Sequence, residues 1–465
     1  MVAHQMPHDE GMHRAFARSG RTHVLQITNH GVHEWNVVPG LPDTGGQNVY
    51  VNQFTEALVE LGYRVTIVNR GGYAHPKTGK MQRGVVYHPS GHARIMYIED
   101  GCEQFVRKED MYDQLLALVQ DLKQRLAVDD DACDLIISHY WDAGMLGVFL
   151  NGSSSRRVPH VWVPHSLGAL KKRNMDPSTW ADLRIDERIT HEKELLEDLD
   201  GGVATSTAIR DTFKSDYGFE AKHFLPPCVD EERYRPREGE AANGVWEFLA
   251  SHSSLSADSL RKRKIITEIS RTDETKRKDI LIEAFAKVKQ RVPEALLVVA
   301  IDPHAKALHE SLMALIEKKG LKEDVIPLGS VWDQLPLLYN ATNVYCTPSV
   351  MEGFGMSAQE AAATGKPVVA SNLVPFVCEY LIGPEPERVS LNGEGREKDL
   401  LFGQGGVVVP ADFVDGFAEA LVRLLSDKDK CRRMGDRALE ITVPYFTWRH
   451  MTEDLLKDLS ITPRK

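Results

Sequence analysis

Short apolar segments alternate with stretches of helical periodicity along most of the chain. Residues 47–61, for example, follow such a segment with amphipathic spacing and end at Gly62. This alternation is typical of parallel sheets whose faces are covered by helices. The predicted strands comprise residues 23–28, 64–69, 134–138, 160–164, 202–205, 264–270, 295–300, 325–328, 343–348, 367–370 and 406–409.

The alternation is interrupted between residues 235 and 264, where charged residues, serine and glycine dominate. A chain of 465 residues also exceeds what one ordinary hydrophobic core accommodates. We therefore predict an α/β protein with two doubly wound, Rossmann-like domains joined near residues 226–236. Ligands of such sheets bind at the carboxyl ends of the strands, so the cleft between the domains is the expected site.

Composition and charge restrict the possible partners and compartment. The formal net charge of −11 argues against nucleic acid as the main partner. No apolar run approaches the roughly 20 residues of a membrane span, and residues 1–20 lack the apolar core of a signal peptide. The six cysteines form no CxxC pair, which indicates the reduced thiols of a cytoplasmic protein and neither disulfides nor a zinc site.

The segment that contains Glu352 and Glu360 carries the most informative candidate chemistry. Glu352 follows a predicted strand and precedes a Gly-Phe-Gly turn at residues 353–355, while Glu360 lies in a helix predicted over residues 356–364 and stopped by Gly365. The backbone amides of the turn and the positive end of the helix suit a diphosphate. The two carboxylates could then contact sugar hydroxyls on either side. Alone, the segment fits a capped surface helix with two solvated acids equally well.

Two other loops contain candidate phosphate-binding groups. Gly45 and Gly46 precede a predicted helix, where paired glycines let backbone amides approach a phosphate closely. A glycine-rich turn without a ligand is the alternative interpretation. Arg271 and Lys276 follow the first strand of the second domain and could clamp a diphosphate leaving group. In isolation, they fit a solvated basic face as well.

Taken together, these segments resemble the retaining GT-B glycosyltransferases of the sucrose-phosphate synthase and sucrose synthase type. The resemblance extends from about residue 23 to residue 458, and its motifs follow one another in the family's order. They comprise residues 42–47, 105–110, 138–144, 164–168 with Lys171, 270–271 with Lys276, and 352–360.

The resemblance implies the GT-B fold and a division of the chain. The expected parts are a mobile N-terminal tail (1–20), an acceptor-side Rossmann-like domain (21–230), a nucleotide-sugar-binding domain (231–445) and a C-terminal helix that packs back on the first domain (446–465).

The resemblance also implies residue roles. The catalytic residues would be His165, Glu352, Arg271 and Lys276. The donor would be held by Gly45, Gly46, Gln47, Val331, Gly353, Phe354, Gly355, Met356, Ser357 and Glu360. The acceptor would be held by Arg107, Lys108, Tyr140 and Lys171. Basic side chains suit a phosphorylated acceptor because its phosphate carries close to two negative charges, although Lys171 and its basic neighbours also fit a solvated turn.

The implied activity is transfer of a hexose from a nucleotide sugar, with UDP-glucose as the expected donor and fructose 6-phosphate as the expected acceptor. The first alternative keeps the chemistry with GDP-mannose as donor, or with a phosphoglycerate, glycan or lipid acceptor. A sugar-nucleotide epimerase and an inactive nucleotide-sugar-binding regulator are the others. No cofactor is expected to be required, although magnesium could accompany the nucleotide. Without an evident carboxylate nucleophile, we expect a same-face mechanism.

Three segments depart from the family pattern or stand outside it. Bulky residues at 372–376 replace a Gly-Gly-Pro turn, which predicts a reshaped wall near the donor or acceptor. A long insertion at residues 383–404 follows, and the sequence leaves open whether it is a lid, an interface or a loop. The acidic run at residues 129–131 is predicted to lie on the surface and to bind no metal.

Overall fold

The computed structural model describes residues 6–38, 41–128, 132–237, 244–329, 331–393 and 396–464. The chain divides into two compact units. Met1–Pro226 and Trp448–Lys465 form the first unit, and Pro227–Thr447 forms the second. The acidic run at residues 129–131 lies outside the described residues.

The first unit consists of one sheet with helices against it. Its strands are β1 (His23–Ile27), β2 (Arg64–Arg70), β3 (Gly84–Tyr87), β4 (Ala93–Ile98), β5 (Leu135–His139), β6 (His160–Val163), β7 (Gly201–Ala204) and β8 (His223–Phe224). Its helices are α1 (Met6–Ala17), α2 (Gly46–Glu60), α3 (Leu115–Val128), α4 (Trp141–Gly152), α5 (Gly168–Asn174), α6 (Ile185–Glu197), α7 (Thr207–Tyr217) and α16 (Trp448–Asp458). The strand order is β3-β4-β2-β1-β5-β6-β7-β8, with β3 antiparallel to β4 and the other pairs parallel.

The second unit repeats this architecture. Its helices are α8 (Gly244–Ser251), α9 (Ala257–Leu260), α10 (Lys278–Arg291), α11 (Lys306–Lys318), α12 (Leu335–Ala341), α13 (Met356–Ala363), α14 (Val414–Ser426) and α15 (Lys428–Thr442). Its strands are β9 (Lys264–Glu268), β10 (Ala295–Ala300), β11 (Val325–Leu328), β12 (Val344–Thr347), β13 (Val368–Ser371), β14 (Glu387–Gly393), β15 (Arg396–Phe402) and β16 (Gly406–Val409). The strand order is β11-β10-β9-β12-β13-β16-β15-β14.

The predicted strands are confirmed to within one or two residues at most of their ends. They are mainly apolar because the central strands are buried on both faces, as in parallel sheets generally. β1 and β5 contribute Leu25, Ile27 and Ile136 to the core of the first unit. β9 and β10 contribute Ile266 and Leu297 to the core of the second.

The strand order reverses direction at the first strand of each sheet. β1 pairs with β2 on one side and β5 on the other, and β9 pairs with β10 and β12. Connections on the two sides of such a strand diverge, and this leaves a crevice at the carboxyl ends. The loops that follow β1, β5, β9 and β12 are therefore the ones best placed to hold a ligand.

The insertion at residues 383–404 is a β-hairpin that extends the second sheet. β14 pairs antiparallel with β15, which in turn pairs antiparallel with β16. Leu400 and Phe402 are buried in the core of this unit, so the hairpin is anchored by its inner strand.

The C-terminal helix α16 packs against α2 within the first unit. The Trp448 indole stacks on Phe54 with ring centroids 6.1 Å apart. Its Nε1 donates a hydrogen bond of 3.0 Å to Gln53 Oε1. None of the described helices has both the length and the apolar character needed to cross a membrane.

The prediction of a mobile tail over residues 1–20 differs from the structure, in which Met6–Ala17 form α1. The sequence offered no extended apolar stripe there, but Phe16 is fully buried. Its ring lies under the guanidinium of Arg94 at 4.4 Å and near that of Arg64 at 5.3 Å. This buried ring, with a hydrogen bond of 2.9 Å between His13 Nδ1 and the Tyr87 hydroxyl, thus holds a largely polar helix in place.

Replacing Phe16 by alanine should loosen α1 and reduce the free energy of unfolding by about 3 kcal/mol, because a buried aromatic side chain is lost. Hydrogen exchange should accelerate in α1, and the thermal midpoint should fall. Leu116→Ala is the control, since this side chain is exposed on α3 and its loss should cost less than about 0.5 kcal/mol. Unchanged exchange in α1 of the Phe16 variant would contradict the docking of this helix.

Candidate active site

An ion pair joins the loops that follow β9 and β12 in the second unit. Lys276 Nζ lies 2.5 Å from Glu352 Oε1, and both side chains are largely buried. Lys276 also donates to the Met351 carbonyl at 3.3 Å. The backbone reinforces this contact, since Val350 N–H donates to the Thr275 carbonyl at 2.8 Å. Two of the predicted catalytic residues therefore lie together at the crevice of this sheet.

Arg271 lies on the same loop but in a different environment. Its side chain is 88% exposed, and its ion-pair contact is with Asp273 at 3.8 Å. An exposed pair at this distance is weak. The guanidinium thus remains available to an anionic ligand.

A buried charge pair supports the base of this loop. Lys278 Nζ donates to Glu268, to the Ser270 hydroxyl at 3.0 Å and to the Ser270 carbonyl at 3.3 Å. Both charged side chains are almost completely buried, and buried charges require such pairing. Sequence reasoning missed this pair, although the two charged residues flank the loop of Arg271.

Helix α13 begins directly after the Gly-Phe-Gly turn, as predicted. No side chain caps its N-terminus, and its first turn contains no acidic residue. The first amides of a helix have no partner within the helix and lie at its positive end. The amides of Met356 and Ser357 therefore suit an anionic group.

The segment at residues 372–376 packs against the Gly-Phe-Gly turn that precedes α13 and supports it. Gly355 has a φ of 108°, and a Cβ at this position would lie 2.7 Å from Val374 Cγ1. Phe376 N–H donates to the Phe354 carbonyl at 2.8 Å, and the two rings pack with centroids 5.5 Å apart. Val374 and Phe376 are completely buried, whereas Leu373 is 45% exposed.

This arrangement changes what the bulky segment implies. The bulky residues at 372–376 predict a reshaped wall near the ligands. Two of its apolar side chains instead face the core behind the glycine turn.

Glu360 lies in α13 and accepts a hydrogen bond of 3.0 Å from the Tyr339 hydroxyl. Burial raises the pKa of the Glu360 carboxyl to about 7, although the Tyr339 and Tyr234 hydroxyls and Arg233 oppose this shift. The two tyrosines come from distant segments, and the sequence offered no sign of them.

Val331 lies in the loop after β11. It is partly buried, and its carbonyl accepts a hydrogen bond of 2.9 Å from Gln334 N–H. Its predicted role beside the base stays a prediction.

In the first unit, His165 follows β6 with a left-handed backbone, at a φ of 54°. Its Nε2 lies 3.0 Å from His139 Nδ1. The Tyr50 ring meets the imidazole edge to face at a centroid distance of 4.7 Å. Burial lowers the pKa of His165 to about 3, so the ring is neutral at physiological pH.

The paired glycines lie at the start of α2. Gly45 is the N-cap and its N–H donates to Asn48 Oδ1 at 2.9 Å, while Gly46 is the first helical residue. A Cβ added to either glycine would meet nothing within 4 Å, so both face open space. Gln47 Nε2 donates to Thr28 Oγ1 at 3.0 Å, which ties the loop to the end of β1.

Lys108 joins two of the sequence motifs through ion pairs. Its Nζ contacts Asp43 and lies 3.2 Å from Glu109 Oε1. Burial raises the pKa of Asp43, but the hydrogen bond and charge of Lys108 outweigh it and hold the pKa below its ordinary value. Arg107 is compensated in the same way, by Glu109 at 3.4 Å and Asp182 at 3.2 Å. The acceptor roles of Lys108 and Arg107 stay predictions.

The other two predicted acceptor residues, Tyr140 and Lys171, line a cavity of about 90 Å³. Lys171 Nζ donates to the Tyr140 hydroxyl at 3.2 Å. Arg188 also donates to this hydroxyl and pairs with the buried Glu192 at 2.7 Å. Lys171 forms no ion pair with a carboxylate among the residues that the structure describes. Arg107 and Lys108 are not among the residues that line this cavity.

Sequence reasoning missed the part of the cavity that α6 supplies. Arg184, Arg188 and His191 line it from the start of this helix. Their spacings of four and three residues place them on one helical face. That spacing was the signal in the sequence which could have identified them.

Family models match both units. The model described as "Glycosyl transferases group 1" matches residues 256–440, and that described as "Glycosyltransferase Family 4" matches residues 44–233. Among curated relatives, a mannosylfructose-phosphate synthase of Agrobacterium fabrum is 30% identical over 75% of this chain and 76% of its own length. A D-inositol 3-phosphate glycosyltransferase of Nocardia farcinica is 27% identical over 91% of this chain and 86% of its own.

Solved structures agree in fold. Sucrose-phosphate synthase from Thermosynechococcus elongatus superposes with a TM-score of 0.69 at 23% identity, covering 94% of this chain and 98% of that one. HepE of Anabaena, solved in complex with UDP-glucose, superposes with a TM-score of 0.63 at 17% identity, covering 94% and 99%.

Replacing Gly355 by alanine should reduce the free energy of unfolding by about 1–3 kcal/mol, because its positive φ and the contact with Val374 both oppose a Cβ. Nucleotide-sugar binding should weaken in parallel as the turn shifts. Gly244→Ala, at the start of α8 and outside the predicted site, is the control, since a Cβ there meets nothing within 4 Å. Thermal unfolding and donor-binding calorimetry test both variants, and equal behaviour of the two would contradict the bracing.

Replacing Glu360 by glutamine should change the pH dependence of stability. The pKa of this carboxyl is raised from 4.5 to about 7 on folding, so the folded state binds a proton that the unfolded state has lost. The wild type should therefore lose stability as pH rises from about 5 to 8, by an amount on the order of 1–3 kcal/mol that the variant does not lose. Thermal midpoints measured across this range test the prediction, and parallel pH profiles would contradict it.

Proposed function

The chain belongs to the retaining GT-B glycosyltransferases, and we propose that it transfers glucose from UDP-glucose to a small phosphorylated sugar such as fructose 6-phosphate. Membership in this family makes it an enzyme that takes its sugar from a nucleotide donor. The proposal concerns the sugar, the base and the acceptor.

The environment of Lys171 carries the proposal of a phosphorylated acceptor. This ammonium group faces a cavity, forms no ion pair with a carboxylate among the described residues, and shares the Tyr140 hydroxyl with Arg188. An acceptor phosphate with close to two negative charges would give this ammonium group a direct ion-pair partner. The charged lining is also unsuited to a lipid chain, which requires an apolar groove.

The names of the relatives point in the same direction. One is named for a mannosylfructose phosphate and another for D-inositol 3-phosphate. A synthase is named for its product and a glycosyltransferase of this kind for its acceptor. Both named compounds are small and phosphorylated, which supports a phosphorylated acceptor here.

The second unit would hold the donor. The diphosphate would lie at the N-terminus of α13 and against Arg271 and Lys276, where charge that develops on the leaving group is stabilised. Glu352 would exchange its contact with Lys276 for a hydroxyl of the hexose. Glu360 would take the ribose hydroxyls, and Val331 would lie beside the base.

Catalysis would then depend on positioning and leaving-group stabilisation. His165 would contact the transferred hexose from the first unit. We propose a same-face mechanism without a covalent sugar–enzyme intermediate, and without a metal beyond magnesium that accompanies the nucleotide.

A second candidate is transfer of mannose from GDP-mannose to the same class of acceptor. The 30% identity with the mannosylfructose-phosphate synthase favours it. The two candidates differ in the donor and share the acceptor cavity.

The decisive experiment combines each donor with each acceptor and measures released nucleoside diphosphate. UDP-glucose and GDP-mannose are tested against fructose 6-phosphate, inositol phosphate, phosphoglycerate and unphosphorylated fructose, with and without a chelator of divalent cations. We expect release to require a sugar phosphate. If no sugar phosphate stimulates release from any donor, the proposed function fails.

Replacing Lys171 by methionine should lower kcat/KM for the phosphorylated acceptor about tenfold to hundredfold, because a charged hydrogen bond to phosphate is lost. The KM of the donor should stay nearly constant. Lys172→Met is the matched control, since Lys172 pairs with Asp186 and does not line the cavity. Equal losses in the two variants would exclude a specific role for Lys171.

A further inference from the structure

We propose that Gln26 and His139 are positioning residues that hold His165 in the Nε2–H tautomer, so that His165 Nδ1 accepts a hydrogen bond from a sugar hydroxyl. The inference rests on the proposed contact between His165 and the transferred hexose. The new points are which ring nitrogen of His165 carries the proton and that His165 is the acceptor of this hydrogen bond.

A continuous chain of hydrogen bonds leads from α2 to His165. Gln26 Nε2 lies 2.6 Å from Thr55 Oγ1, and Gln26 Oε1 lies 2.9 Å from His139 Nε2. His139 Nδ1 lies 3.0 Å from His165 Nε2. The first three of these side chains are fully buried, so their polar atoms depend on one another for partners.

The hydrogen bonds at Thr55 determine which atom donates and which accepts along the whole series. The Thr55 hydroxyl donates to the Val51 carbonyl at 2.8 Å, so its oxygen accepts from Gln26 Nε2. The Gln26 carbonyl then faces His139, whose Nε2 must donate to it. If donor and acceptor were exchanged in every hydrogen bond of the series, the Thr55 hydroxyl would have to donate to Gln26. Its hydrogen bond to the Val51 carbonyl would then be lost.

Both imidazoles are neutral, so each has one donor and one acceptor nitrogen. Burial lowers the pKa of His139 well below its ordinary value and that of His165 to about 3. Because His139 donates from Nε2, its Nδ1 accepts, and His165 must supply the proton from Nε2. His165 Nδ1 therefore keeps its lone pair, and no described residue forms a hydrogen bond with it.

The His165 ring is also held by packing. It stacks on His139 at a centroid distance of 5.2 Å and meets Tyr50 edge to face at 4.7 Å. Tyr50 is fixed in turn by its hydrogen bond to the Leu225 carbonyl at 2.8 Å and by Trp448 at 4.7 Å. The ring thus has a defined orientation as well as a defined tautomer.

The chemical consequence concerns which partner His165 can recognise. A bare Nδ1 accepts from a hydroxyl and disfavours a group that can only accept, such as a phosphate oxygen. The opposite tautomer would present an N–H at the same place and reverse this preference. The hydrogen bonds between Thr55 and His165 therefore favour a hydroxyl over an anion as the partner of His165 Nδ1.

The tautomer can be measured directly on the full-length protein labelled with ¹⁵N-histidine. Long-range ¹H–¹⁵N correlation spectra distinguish protonated from bare ring nitrogens, and the signals that vanish in His165→Asn identify His165. We expect Nε2 protonated and Nδ1 bare. Protonated Nδ1 would overturn the inference, whatever the substrates of the enzyme are.

Gln26→Leu removes the acceptor of His139, so both tautomers of His165 should become populated. We expect kcat to fall about tenfold while the KM of the donor changes less than about twofold, as for an interaction that acts mainly in the transition state. Thr55→Val, which keeps the shape of the side chain, should have a smaller effect in the same direction and serves if Gln26→Leu does not fold.

Ser138→Ala is the matched control. Ser138 precedes His139 on β5, and its hydroxyl lies 2.7 Å from His160 Nε2, away from the chain to His165. Its kcat and its His165 spectrum should match the wild type. A normal kcat in Gln26→Leu despite mixed tautomers would overturn the positioning role. If His165→Ala retains full turnover, the proposed contact with the hexose fails, while the spectra still decide the tautomer.

Discussion

The ion pair between Lys276 and Glu352 is the interaction on which the proposed donor site depends. It links the loops after β9 and β12, the two strands between which the order of the second sheet reverses. Because the pair is largely shielded from water, removal of either partner would leave a charge without compensation. A diphosphate would compete with Glu352 for the ammonium group of Lys276. In the proposed function, the contact that orders the loops would therefore also couple phosphate binding to the release of Glu352 toward a sugar.

In the first unit, several basic side chains near the cavity are paired with carboxylates. Lys108 pairs with Asp43, Arg188 with Glu192, and Arg184 with Asp110. These pairs fix loops, whereas Lys171 forms no ion pair with a carboxylate among the described residues. If the acceptor is phosphorylated, as proposed, this ammonium group would be its direct partner. A cation at one defined position discriminates better than a diffuse basic surface.

The sequence was sufficient for features that depend on local pattern. Strands buried on both faces are mainly apolar, and the helix that bears Glu360 has a glycine at each end, so both were predicted. The hairpin at β14 and β15 was missed because edge strands mix polar and apolar residues. α1 was missed because its docking depends on a few side chains, chiefly the buried Phe16 and the hydrogen bond between His13 and Tyr87. The tyrosines around Glu360 and the chain from Gln26 to His165 join segments far apart in sequence, and no local pattern encodes such pairs.

The segment at residues 372–376 shows how a departure from a family pattern can be structural. Val374 occupies the space that the missing side chain of Gly355 leaves, and Phe376 packs on the ring of Phe354. The bulky residues and the glycine turn therefore pack together, and this packing holds the first amides of α13 in position. If the donor site is preserved in this way, selectivity must be sought elsewhere. The cavity at Lys171 and the hydroxyl-accepting nitrogen of His165 are the two features of the first unit with the chemistry to provide it.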